Sequence, residues 1–174
     1  MKPCSVSELG EQALDAGLLL RLKVSRPLGL WVLRLVVAEH LEPNKVRILG
    51  EMKAWAYRGV HGLQLDTIRV LPDVSVRVGY LIWAATMAWA LESTPCKTAR
   101  LLAICDNEYR HACLVRYFSI RGFKLIREVG AAPTDLPLRV VWGGSGSLMV
   151  GDCVDVFHKN IRLWKNSSQI NYTN

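Results

Sequence analysis

The chain has 174 residues, 51% of them hydrophobic and 21% charged, with a formal net charge of +7. That composition excludes a disordered chain and suits one domain with enough apolar material for a sizeable core. The longest uncharged run, Val78–Leu91, is 14 residues long, short of the roughly 20 needed to span a bilayer, so no membrane span is expected.

The opening residues 1–20 carry one Lys and then acids ahead of a short apolar run. They fit neither a secretory signal nor an Arg-rich transit peptide. A cytoplasmic protein is expected, or a stromal one if the chain is organelle-encoded, and the sequons at Asn166 and Asn171 then carry no weight. Cys4, Cys96, Cys105, Cys113 and Cys153 are odd in number and scattered, which points to reduced core thiols and no metal site. The basic balance favours anionic partners. The Lys and Arg residues are nevertheless spread along the chain, with no run interleaved with aromatics, which argues against nucleic acid as the main partner.

In chain order, Ser7 can cap a first helix with Glu8 and Glu11 in its first turn and a stripe of Leu9, Ala13, Leu14 and Leu18. Leu18–Val24 either continues that helix or turns into a strand. Pro27 breaks it and suits the first turn of a next helix. Gly29–Leu41 places Leu30, Trp31, Leu33, Val37 and Leu41 on a helical face, although its β-branched content keeps a strand open. Helices are expected over 7–42, ended by Pro43-Asn44.

Lys45–Tyr57 alternates as a half-buried strand, Arg58–Gly62 is a turn, and Leu63–Leu71 pairs back antiparallel. Gly79–Glu92 is apolar nearly all round and reads as a covered helix. Ala99–Cys105 is a strand buried on both faces, so strand, helix and strand form a βαβ unit with a parallel or splayed pair. Asp106 can cap a further helix, whose Glu108, Arg110, Arg116 and Arg121 face out and which Gly122 closes. Phe123–Val129 and Leu138–Trp142 read as strands, Gly143–Ser147 as a turn and Leu148–Val150 as a short strand. Asp152 caps a last helix over 152–164 with the stripe Val154, Phe157, Ile161 and Trp164. Residues 166–174 are expected to fray, which leaves one domain over 1–165.

Two motifs carry chemistry. The first is the turn Ser75-Val76-Arg77-Val78-Gly79-Tyr80-Leu81 at the start of the apolar helix. A helix start aims backbone N–H groups and a positive dipole end at an anion. The second is a helix ending in Gly122-Phe123 and preceded by Asn107 at a strand end. With the element order, these features resemble the GNAT acyl-CoA N-acyltransferase superfamily over about 45–150, in particular divergent members from cyanobacteria and plastid-bearing lineages. The resemblance implies an α/β (mixed α+β) domain: a central twisted mixed sheet, helices on both faces, and splayed fourth and fifth strands that hold pantetheine. It implies an acyl-CoA, most simply acetyl-CoA, as co-substrate, an amine acceptor (small molecule or protein) as partner, and no metal.

By the same resemblance, Arg77, Val78, Gly79, Tyr80, Leu81 and Asn107 contact the coenzyme, and main-chain N–H groups at Val70 and Leu71 polarise the thioester. Val76 and Leu81 stand where the motif has Arg/Gln and a second small residue. Phe118 stands where the thiolate-protonating Tyr is usual, with Tyr117 next to it and turned about 100° away, and His111 replaces an Asn. Tyr117 and His111 are the candidate acids. Of the strand acids Glu51 and Asp66, Asp66 is the candidate base, because it shares a face with Ile68 and Val70. The implied activity is N-acyl transfer by direct attack of the amine on the thioester. A catalytically degenerate coenzyme-binding or protein-interaction module is the alternative, and a basic RNA- or ribosome-associated protein is a third.

Overall fold

A computed structural model describes residues 4–42 and 44–169. The first helix, α1, spans Val6–Asp15. Its cap is Ser5, two residues before the expected Ser7. The Ser5 hydroxyl accepts from the Glu8 N–H at 3.1 Å, and the Glu8 carboxylate accepts from the Ser5 N–H at 2.7 Å, a reciprocal box that satisfies two donors the helix leaves open.

The expected helices over 7–42 end with α1. Leu18–Ser25 is strand β1 and Trp31–Glu42 is strand β2, paired antiparallel from Leu18↔Glu39 to Ser25↔Val32. Leu33 and Val37 fit periods of two and of 3.6 equally well. Leu35 decides between them: the strand period puts it beside them, and it is fully buried. The break expected at Pro43-Asn44 falls partly on Pro43, which lies outside the described residues.

Strand β3, Lys45–Ala56, and strand β4, Leu63–Val70, form the expected antiparallel pair. Helix α2 spans Val76–Ser93 and is buried on nearly every side from Val78 to Ala90. It lies so close over β3 that a Cβ on Gly50 would meet Ile82 Cδ1 at 2.8 Å. Strand β5 is Thr98–Ile104, and helix α3 is Glu108–Arg121. Asn107 caps α3 in place of Asp106, and Gly122 closes it in the left-handed conformation at φ 109°.

Strand β6, Lys124–Val129, is followed by helix α4, Leu136–Trp142, where a strand was expected. Pro137 suits a first helical turn, and Gly143 ends the helix at φ 77°. Strand β7 spans Gly146–Asp152, so Gly146 and Ser147 belong to a strand rather than to a glycine turn. The last helix, α5, runs Cys153–Gln169. Asp152 Oδ1 accepts from the N–H groups of Val154 and Asp155, as expected. Val154 is exposed, and Val156, Phe157, Ile161 and Trp164 form the buried stripe. Helical structure continues through 166–169, where fraying was expected; residues 170–174 lie outside the described residues.

The result is one mixed α/β domain around a seven-stranded sheet ordered β1-β2-β3-β4-β5-β7-β6. The pairing of β4 with β5 is parallel and the others are antiparallel. Helices α1, α2, α3 and α5 share the main core on one face. Helix α4 closes a smaller core of Leu102, Val129, Trp142 and Leu148 on the other.

Candidate functional site

The site begins where the sheet opens. Strand β4 pairs with β5 only at Leu63↔Ala99 and Gln64↔Arg100. Beyond Gln64, β4 carries a bulge: Ala54 faces Leu65 and Lys53 faces Thr67, leaving Asp66 as the extra residue. A bulge bends and twists its strand, and here it turns β4 away from β5. Asp66 therefore does not share a face with Ile68 and Val70 as expected. Its exposed carboxylate accepts from the Thr67 hydroxyl at 2.9 Å.

The wedge between the strands is narrow, about 40 Å³, with Asp66, Thr67 and Ile68 on one side and Leu101, Trp83 and Phe118 closing it. The Leu71 N–H donates to the Leu49 carbonyl at 2.9 Å, so it is not available to a thioester, contrary to expectation. Successive N–H groups of a strand point to opposite edges, so that of Val70 is directed toward the open side.

At the start of α2 most of the N–H groups expected to cradle an anion are already bonded. The helix begins at Val76, so Gly79, Tyr80 and Leu81 lie past its first turn, where N–H groups bond to carbonyls four residues earlier. Ser75 takes two of the N–H groups before them: its hydroxyl accepts from Arg77 at 3.4 Å and its carbonyl from Val78 at 3.0 Å. Val78 and Leu81 point into the core.

Arg77 lines a polar pocket of about 290 Å³ with Ser75, Arg47, Asp73 and Glu39. The hydrogen bond from Arg47 holds the Asp73 carboxyl below the usual carboxylate range, and Arg47 is raised in turn. The Arg77 guanidinium also lies 5.0 Å from the centre of the Trp164 ring of α5. A phosphate at this end would meet the Arg77 side chain more than backbone donors, with two carboxylates close by.

Helix α3 presents Phe118, not Tyr117, to the wedge. The Tyr117 hydroxyl accepts instead from Trp83 Nε1 at 2.9 Å. Arg121, expected to face solvent, is 4% exposed. Its guanidinium lies 4.5 Å from the Tyr80 ring centre and 4.8 Å from that of Tyr117, and Nη1 donates to Asn160 at 3.0 Å. Asn107 uses its side-chain oxygen as the α3 cap, accepting from Tyr109 at 3.0 Å and Arg110 at 3.3 Å.

His111 stands apart from the wedge in a polar chain. Its Nε2 is 2.7 Å from the Ser147 hydroxyl, which donates to Glu128 at 2.7 Å. With the Ser147 proton directed at Glu128, His111 Nε2 is the donor, leaving Nδ1 as the other proton-handling position. Sequence reasoning missed Ser147 and Glu128. Their sequence separations, 36 from His111 to Ser147 and 19 from Ser147 to Glu128, hold no local signal. Among the described residues, no group of three or more His, Cys, Asp or Glu is placed to hold a metal. No described helix is long and apolar enough to cross a membrane.

No protein-family model matches the chain, and no curated protein does. Several solved structures align with the chain at low identity. Nourseothricin acetyltransferase aligns at 13% identity over 79% of this chain and 88% of its own, with a TM-score of 0.51. An uncharacterized protein from Bacillus halodurans aligns at 15% identity over 79% of this chain and 66% of its own, just under two thirds, with a TM-score of 0.49. The aminoglycoside 6'-N-acetyltransferase from Enterococcus faecium aligns at 15% identity over 69% of this chain and 73% of its own, with a TM-score of 0.43. The chain thus shares its fold with an acetyltransferase. At such identities the likeness speaks for architecture and not for chemistry.

Proposed function

We propose that the protein is an acyl-CoA-dependent N-acyltransferase, with acetyl-CoA as the simplest donor and a primary amine as acceptor. The observation that carries this reading is the parting of β4 from β5 beyond Gln64, with an edge-directed N–H at Val70 and the Asp66 carboxylate on the same strand. Val70 donates to the thioester oxygen as negative charge develops there. Asp66 accepts, through a water, the proton the amine loses when its nitrogen attacks the carbonyl carbon. The carbon–sulfur bond breaks, and the thiolate takes its proton from solvent, since Phe118 has none to give. Arg77, at the start of α2, is the cation that meets the phosphates. The fold shared with an acetyltransferase supports this assignment.

A second reading, an interaction module that has lost the coenzyme, is favoured by one observation: Trp83 and Phe118 leave only about 40 Å³ in the wedge. Calorimetry with acetyl-CoA, paired with thiol release from acetyl-CoA in the presence of a primary-amine panel, separates the two. Binding with amine-dependent thiol release is the expected result. Binding without turnover favours a degenerate descendant, and no heat or thermal shift at millimolar coenzyme sinks the enzyme reading.

A further inference from the structure

The face of β1–β4 opposite α1 and α2 is open, because the described helices that pack on these strands, α1 and α2, lie on the other side. Across it, Lys23 of β1 sits opposite Arg34 of β2, and Arg34 sits opposite Lys53 of β3. All three side chains are exposed. Three like charges in direct register on adjacent strands, about 4.8 Å apart, oppose folding. A face serving only solvation would mix signs or use Thr.

The next row runs Arg21, Val36, Glu51 and Arg69. Glu51 is 3.6 Å from Arg34 and 3.9 Å from Arg69, so it neutralises part of the field. Among the described residues, Arg21, Lys23 and Lys53 have no carboxylate within ion-pair distance. Two residues beyond Lys53 on the same side of β3 lies Trp55, and its ring pairs with that of Tyr57 at 6.2 Å between centroids. A ladder of cations beside partly exposed aromatic rings matches what a single-stranded nucleic acid offers, a string of phosphates with free base faces. The flat face carries no helix or protruding strand to enter a duplex groove.

We propose that this open sheet face is a docking surface for single-stranded nucleic acid, with Lys23, Arg34 and Lys53 tracking phosphates and Trp55 stacking on a base. The proposal goes beyond the acyl-transfer reading and stands without it. The charge that looks scattered along the chain is gathered by the sheet, because cross-strand register brings together residues from separate strands.

The test is fluorescence anisotropy of a labelled 12-nucleotide oligouridylate across a salt series, with the full chain. The expected result is binding whose log K falls with log salt at a slope of roughly −2 to −3, about 0.7 per phosphate neutralised. Lys53→Thr lowers that slope by about 0.7 with thermal stability unchanged or raised, since a like-charge contact is removed. Lys124→Thr, on the far strand β6, changes neither. Oligouridylate quenches tryptophan emission in the wild type, and Trp55→Phe loses that quench. No binding at low salt would overturn the proposal. So would equal losses for Lys53→Thr and Lys124→Thr, equal affinity for an RNA duplex of the same length, or displacement by polyglutamate at equal charge.

Discussion

Trp83 of α2 donates its indole N–H to the Tyr117 hydroxyl of α3 at 2.9 Å, tying together the two helices that border the wedge. Trp83 is fully buried, so Tyr117→Phe strands a donor away from water. The expected cost is about 1–3 kcal/mol, read as a lower urea midpoint at unchanged slope. Because Tyr117 does not line the wedge, coenzyme binding and any acyl transfer survive the substitution. A loss of turnover without loss of stability would instead make Tyr117 the acid.

Asp66→Asn keeps the shape of the bulge and removes the proton acceptor. Thiol release should fall by about two to four orders of magnitude, with the coenzyme dissociation constant unchanged. Equal turnover in the variant would remove Asp66 from the chemistry.

Gly50→Ala should cost about 1–3 kcal/mol by overpacking. Its Cβ would meet Ile82 Cδ1 at 2.8 Å, which the Ile82 side chain can relieve only by repacking, and the backbone carbonyl of Arg69 at 2.9 Å, so β3 and β4 would have to shift against each other. Gly130→Ala, where the new methyl meets nothing within 4 Å, is the control and should leave the denaturation midpoint in place.

Asp135 anchors the loop before α4. The Gly130 N–H at 2.8 Å and the Arg127 guanidinium at 2.6 Å hold its carboxyl below the usual range. A depressed carboxyl contributes stability above the unfolded value, about 3.9, and loses it as the pH falls through the folded value. Wild type should therefore be more stable than Asp135→Asn above about pH 4, the difference shrinking below it. Melting temperatures across that range check the sign.

The five cysteines should not react alike. Burial pushes the Cys153 thiol up to about 12 and the half-buried Cys4 thiol up to about 11, whereas Cys105 and Cys113 are exposed. At mildly alkaline pH, Cys105 and Cys113 should modify first and Cys153 only on unfolding. Mass spectrometry of the labelled native protein would report the order. The expectation of uniformly buried thiols does not hold for these two exposed positions.

The sequence by itself determined the features governed by near neighbours. The apolar run of α2 had to be covered, Gly122 had to end a helix in the left-handed region, and Asp152 had to cap the one that follows. The alternation of β3 had to make a half-buried strand. These follow from local periodicity and from backbone rules that act over a few residues. Where one segment satisfied two periods, as Leu33 and Val37 do, only the sheet chose between them, by burying Leu35 beside them.

Tertiary structure alone decided the site. The Asp66 bulge exists because of the register against β3. The His111–Ser147–Glu128 chain joins α3, β7 and β6. The Lys23–Arg34–Lys53 ladder joins three strands. Each depends on which residues long-range pairing brings opposite one another, and charge or polarity along the chain carries no record of that pairing.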